Sequence, residues 1–272
     1  MKHRQHIAHC ARVLAVVLVA ALLLAGCDEK DERKELLSHA RAAFAQKQYI
    51  EAERQYERYL QLYPHAENRW DVWNKLVEIA RGVRGNPAAA AELLESMYLE
   101  FGLEPERAQA VLFDLATLYE ELHKRDKALE IWLKYQTMPD LPPRDIAEAY
   151  RHAARIYRDR GEYDLALESL RACLDIQELP QAYHARCVYE LAQTDIFMNN
   201  YGRAEDLLRK LEGMTEAEST VRALGMLALA DVLQQQKRYA EAKKVLLSIK
   251  DTYPNPQVIE ARLDMLKNKM AH

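Results

Sequence analysis

The stretch Ile146–Pro180, IAEAYRHAARIYRDRGEYDLALESLRACLDIQELP, reads as two helices and a turn. Tyr150, Ala153, Ala154 and Tyr157 recur at spacings of three and four, the period of one apolar helical face. Leu165, Ala166, Leu170, Cys173 and Leu174 mark a second face, and Gly161 with Tyr163 stands where the chain must reverse. Small alanines let the helices approach closely while the tyrosines fill the gaps around them. The product is a hairpin whose core is too thin to stand alone, so it needs neighbours.

Stepping by 38 residues from Ala166 finds them. The step connects Ala52, Ala90, Ala128, Ala166, Ala204 and Ala242, which indicates six hairpins. Tyr49–Ala52 (YIEA), Tyr201–Ala204 (YGRA) and Tyr239–Ala242 (YAEA) repeat the text of Tyr163–Ala166 (YDLA). No run of alternating β-branched residues points to a sheet, so the chain is read as all-α.

These hairpins resemble the tetratricopeptide repeat (TPR) family, on Ala154, Tyr157, Gly161, Tyr163 and Ala166 in unit four and Ala116, Tyr119 and Ala128 in unit three. Unit six adds Ala230, Tyr239, Ala242 and Pro254, and unit one adds Ala40, Tyr49, Ala52, Tyr56 and Pro64. The resemblance implies a right-handed superhelical solenoid over 34–254, closed by a capping helix and tail over 255–272. Two features depart from the family pattern. The period is 38 where the family has 34, and most units lack the turn glycine. Unit two matches only through Ala90 and a general helix-turn-helix pattern. Its Trp70 and Trp73 are read as packing between hairpins in preference to gripping a ligand. The loop Met138–Pro143 is read as a stiff connector, because the phase runs through it unbroken, in preference to a hinge.

The amino terminus reads as a lipoprotein signal peptide over 1–26. Lys2, Arg4 and Arg12 form a positive start, and Val13–Gly26 carries no charge but is shorter than the roughly 20 residues a membrane span needs. Leu24-Ala25-Gly26-Cys27 resembles the bacterial lipobox, which implies cleavage before Cys27 and its modification by diacylglycerol and a fatty acid such as palmitate. Residues 27–33 then form a lipidated tether, and lipid chains anchor without spanning. Asp28 after the cysteine resembles the signal that retains lipoproteins in the inner membrane, which tilts the expected location to the periplasmic side of that membrane. Net charge moves from −4 to −7 from Cys27 onward, since three basic residues and no acidic one precede it. Such an acidic body disfavours nucleic acid as a partner.

No catalytic or phosphate-binding motif is present, the histidines lack metal-ligand spacing, and no cofactor or metal is expected. The chain is read as a non-enzyme. Cys173 and Cys187 are read as buried small residues, with a disulfide between them as the alternative that an exported location would permit. In the TPR family, partners are held on the concave face by the first helix of each repeat. The alanine register places Phe113, Thr117, Arg151, Arg155, Arg158, Arg186, Tyr189 and Gln193 there. Two readings of the arginines stay open: they receive a carboxylate-bearing segment, or they pair with acids of adjacent helices such as Glu148 and Asp159. The family's carboxylate clamp wants Lys and Asn where Arg151 and Arg155 stand, so binding of a chain-terminal acidic peptide is not implied. The expected function is a lipid-anchored envelope scaffold for protein partners in an assembly or secretion complex. Outer-membrane protein assembly and pilus assembly are the nearest resemblances, and a cell-wall enzyme or ligand carrier is the alternative of another class.

Overall fold

A computed structural model of the chain describes residues 31–271. Helix α1 covers 31–45 and packs on α2 (Tyr49–Leu62). Helix α3 (Arg69–Glu78) continues into a π-helical turn, Ile79–Val83, ahead of α4 (Pro87–Phe101). Four more hairpins follow: α5 (Pro105–Glu121) with α6 (Arg125–Tyr135), α7 (Pro143–Asp159) with α8 (Tyr163–Leu174), α9 (Gln181–Phe197) with α10 (Tyr201–Glu212), and α11 (Ser219–Gln235) with α12 (Tyr239–Ser248). Helix α13 (Pro256–Ala271) closes the series. The architecture is an all-α solenoid of six hairpins and a capping helix. The signal and lipidation segments lie outside the described residues.

The hairpins fall into two compact units, one ending at Glu100 and the other beginning at Phe101. The proline-rich loop lies inside the second unit, where Leu141 is buried and Gln109 Nε2 donates to the Pro139 carbonyl at 2.6 Å. Asp140-Leu141-Pro142 and Glu178-Leu179-Pro180 repeat one loop a period apart, with φ of 56° and 57° at their first residues.

All six marker alanines have no exposed surface. A methyl group there lets paired helices meet closely, and adding methylenes would force them apart. Around Ala154 and Ala166 pack Leu167, Leu170 and Leu191, and around Ala204 and Ala242 pack Leu208, Leu229, Leu233 and Leu246. Leu165, expected inward, is 43% exposed, and Leu167 is buried in its place. Two residues are about 200° of helical rotation, and Leu167 shares the stripe of Ala166 and Leu170. Gly225 answers a closer approach still, since a Cβ there would overlap Leu211 Cδ2.

Unit two matched poorly for a reason visible in its backbone. Its buried residues Val72, Leu76, Ile79 and Ala80 stand 39 residues before Val111, Leu115, Leu118 and Tyr119, one more than the period. The π-helical turn holds the extra residue. Arg84 N–H therefore bonds back to the Ile79 carbonyl, and Asn86 N–H reaches Ala80 where the other hairpins reach back five residues. The Asn86 side chain then caps α4 by accepting from Ala89 N–H at 3.1 Å.

The missing turn glycines leave the turn itself unchanged. Lys47, Gly85, His123, Gly161, Asn199 and Lys237 hold equivalent places, and all have positive φ between 57° and 77°. Outside unit two each is followed by a residue whose N–H bonds five residues back, as in Lys124 to Tyr119 at 2.8 Å and Arg238 to Leu233 at 2.8 Å. This is the Schellman closure, which favours glycine because a Cβ is strained in left-handed backbone. His123→Gly and Lys237→Gly should each stabilise the fold by about 0.5–1 kcal/mol, and Gly161→Ala should cost about 1 kcal/mol. Thermal midpoints from circular dichroism, compared with the parent chain, check both signs.

Candidate functional site

The eight predicted partner-binding residues all lie on first helices of the second unit: α5 carries Phe113 and Thr117, α7 carries Arg151, Arg155 and Arg158, and α9 carries Arg186, Tyr189 and Gln193. Phe113 is half-buried and leans on Trp132 and Tyr135, with ring centroids 5.4 and 5.8 Å away. The Thr117 hydroxyl donates to the Phe113 carbonyl at 2.9 Å, within its own helix. Tyr189 packs against two core clusters, and burial pushes its hydroxyl up from the ordinary phenol value. Gln193, on α9, is half-buried.

The structure brings the four arginines together through glutamates. Arg155 pairs with Glu120 of α5. Arg151 contacts Glu148 at 2.8 Å and Glu190 of α9 at 3.5 Å, and Arg158 meets Glu190 at 2.8 Å. Arg186 reaches back to Glu148 at 2.9 Å and forward to Glu218 at 2.5 Å. Four guanidinium groups thus face four carboxylates in a ladder from α5 to the start of α11. Glu190 and Arg158 are each only 14% exposed, so these pairs are well shielded from water and salt. Removing one member would leave its partner's charge unpaired in a partly desolvated place, which costs more than losing a surface pair. Of the two readings open from sequence, the arginines pair with neighbouring acids, Glu148 among them. Asp159 instead meets Arg125 at 3.5 Å.

Glu120 anchors one end of the ladder. It accepts from Trp132 Nε1–H at 2.6 Å, contacts His152 Nδ1 at 2.7 Å and pairs with Arg155. His152 lies flat on Trp132, ring centroids 4.3 Å apart. Burial pushes the Glu120 carboxyl up, but the hydrogen bond and charge of His152, the charge of Arg155 and the Trp132 hydrogen bond outweigh it, so the group titrates below its ordinary value.

Glu190, Glu218 and His152 were not foreseen as members of this constellation. Their signal is a spacing of 32: Glu120 to His152, Arg158 to Glu190, Arg186 to Glu218, and Arg209 to Glu241 on the second helices. That is one period less six residues, so each long side chain reaches a point earlier in register on the next helix.

Cys173 on α8 and Cys187 on α9 are fully buried, with Cα atoms 6.2 Å apart and their sulfurs joined. Burial agrees with the reading from sequence, and the bond takes the alternative. Cys27 and Asp28 lie outside the described residues. Among the described residues no group of three or more His, Cys, Asp or Glu could hold a metal ion, and no helix is long and apolar enough to cross a membrane.

Because the folded Glu120 carboxyl is more acidic than in the unfolded chain, its contribution is present above the ordinary carboxylate value and fades as pH falls through the folded value. Glu120→Gln should lose about 1–2 kcal/mol at pH 7. The gap to the parent chain should close on acidification below about pH 4.5. Thermal midpoints of both chains from pH 7 down to about pH 2 test this, and a gap that does not change with pH over that range would oppose it.

Residues 147–178 and 225–256 match the tetratricopeptide repeat family. Among curated proteins none matches this chain in sequence. Solved structures share the fold at low identity. A Podosopora anserina protein of kinesin-light-chain type with nearly identical TPR-like repeats is 20% identical, over 74% of this chain and 100% of that one, with a TM-score of 0.54. The apo form of RapI is 14% identical over 88% of this chain and 72% of its own, with a TM-score of 0.62. PilF of Pseudomonas aeruginosa is 14% identical over 86% and 98%, with a TM-score of 0.52. The chain therefore carries tetratricopeptide repeats in hairpins four and six within an all-α solenoid, an architecture that serves as a scaffold for protein–protein interaction.

Proposed function

We propose that this protein is a lipid-anchored scaffold of the bacterial envelope that holds a protein partner on the concave face of hairpins three to six. The observation that carries the binding face is the alignment of Phe113, Tyr189 and the Arg–Glu ladder on successive first helices. Since each guanidinium already has a carboxylate, the face offers paired charges beside aromatic surface and is not a cationic trap. It suits a segment of mixed polarity, bound with weak salt dependence, and disfavours a strongly acidic tail that would have to displace Glu120, Glu148 and Glu190. Support for the anchor is the lipobox-like Leu24–Cys27 after an uncharged stretch, and Asp28 supports the periplasmic side of the inner membrane.

Photo-crosslinking residues placed at Thr117 and Gln193 in intact cells should capture the same partner, identified by mass spectrometry. Glu168, exposed on α8, is the control. Equal capture from all three positions, or none from the first two, would remove the binding face. For the anchor, Cys27→Ser should abolish incorporation of labelled palmitate and move the chain from the membrane to the soluble fraction. Retention in the membrane with no label in either chain would refute lipidation. Density fractionation of the parent membranes then tests the inner location.

A further inference from the structure

The two residues that flank each boundary between turns, the first of a second helix and the one near the end of the following first helix, are filled differently along the chain. Between hairpins three and four they are Arg125 and Asp159, an ion pair at 3.5 Å. Between hairpins four and five they are Tyr163 and Phe197, whose rings stack 6.3 Å apart and 12° from parallel, with the Arg158 guanidinium 5.6 Å from the Phe197 ring. Between hairpins one and two, counted from the left-handed turn residues, they are Tyr49 and Val83. No ring stands across from Tyr49 there. Instead an open groove of about 780 Å³ is lined by Lys47, Gln48, Tyr49, Ile50, Glu51, Val83 and Arg84.

The groove has the marks of a place kept for something else. Ile50 is 79% exposed and Val83 is 43% exposed. The places equivalent to Ile50 are Ala88, Asp126, Asp164, Gly202 and Ala240, so only the first hairpin puts a large aliphatic side chain at this edge. Phe44 meets the Tyr49 ring edge-on at 5.5 Å and fixes its orientation. Of the charged residues that line it, Arg84 pairs with Glu53 and Glu51 is engaged by Arg54 and Gln55, while the Lys47 ammonium has no ion partner among the described residues.

We propose that this groove receives an aromatic side chain from a peptide segment of another protein, flanked by a carboxylate that Lys47 meets. The Tyr163–Phe197 stack supplies the pattern: hairpins four and five fill the equivalent place from within, and hairpins one and two leave it for a ring from outside. Aromatic stacking on a tyrosine, enclosed by aliphatic walls, is the ordinary makeup of an anchoring pocket. The site lies on the turn edge of the first unit.

The test is a titration of the full chain, with isoleucine and valine methyl groups labelled for NMR, using the peptide acetyl-Gly-Asp-Phe-Asp-Gly-amide. The Ile50 and Val83 methyls should shift saturably. The Phe→Ala peptide should shift neither, and replacing both Asp by Lys should weaken binding at least about threefold. Val83→Phe, which supplies the ring from within, should abolish the Ile50 shift while the circular dichroism spectrum stays that of the parent. Ile50→Asp, an exposed change to the residue found at Asp164, should abolish the Val83 shift and serves if Val83→Phe misfolds. No saturable shift, an equal shift with the Phe→Ala peptide, or full binding by either variant would overturn the proposal. Shifts that grow with protein concentration in the absence of peptide would overturn it too, by giving the groove to a second copy of the chain.

Discussion

The close contact of paired helices at a buried alanine is the constraint on which everything else rests. A methyl group at Ala52, Ala90, Ala128, Ala166, Ala204 and Ala242 sets how near the two helices of each hairpin come, and with it the pitch at which hairpins can stack. A thin hairpin cannot bury enough apolar surface by itself, so the energy that holds it comes from its neighbours. That is why the larger side chains, Leu167, Leu170 and Leu191 for example, meet between hairpins.

Once the pitch is fixed, an offset that brings two charged side chains together in one pair of hairpins does so again in the next. Arg158 and Glu190, Arg186 and Glu218, and Glu120 and His152 all exploit the same one. The ladder and the alanines therefore express one geometry in two chemistries, close apolar contact at the alanines and ion pairs between successive hairpins. Shielded pairs of this kind add less to net stability than their number implies, because desolvation offsets the attraction. Their stronger effect is on register, since a hairpin slipped by a few residues would leave several charges unpaired.

Most of this fold was legible in the sequence because it repeats. The marker alanines, the helix order and the closing helix follow from the repeat. Legibility ended where the period does. The π-helical turn after α3 adds one residue locally, and a fixed step cannot see an insertion that the shorter connection before α3 already offsets. Leu165 was misplaced because neighbouring leucines differ only by helix phase, which Leu167 satisfies better. The partners of the arginines were half visible. Glu148 lies on the same helix as Arg151, but Glu190 and Glu218 are a hairpin away and needed the stacking offset to be found. The division after Glu100 has no compositional mark at all.

The bond between Cys173 and Cys187 acquires a mechanical meaning from this architecture. A solenoid transmits a pull from hairpin to hairpin through non-covalent contacts, and in series each boundary carries the whole load. The bond bridges the boundary between hairpins four and five and closes a loop of sequence separation 14, so that boundary alone in the second unit is locked by covalent chemistry. Under tension residues 173–187, with Arg186 among them, cannot be drawn out between the two cysteines, so the junction of α8 and α9 is the part that does not lengthen.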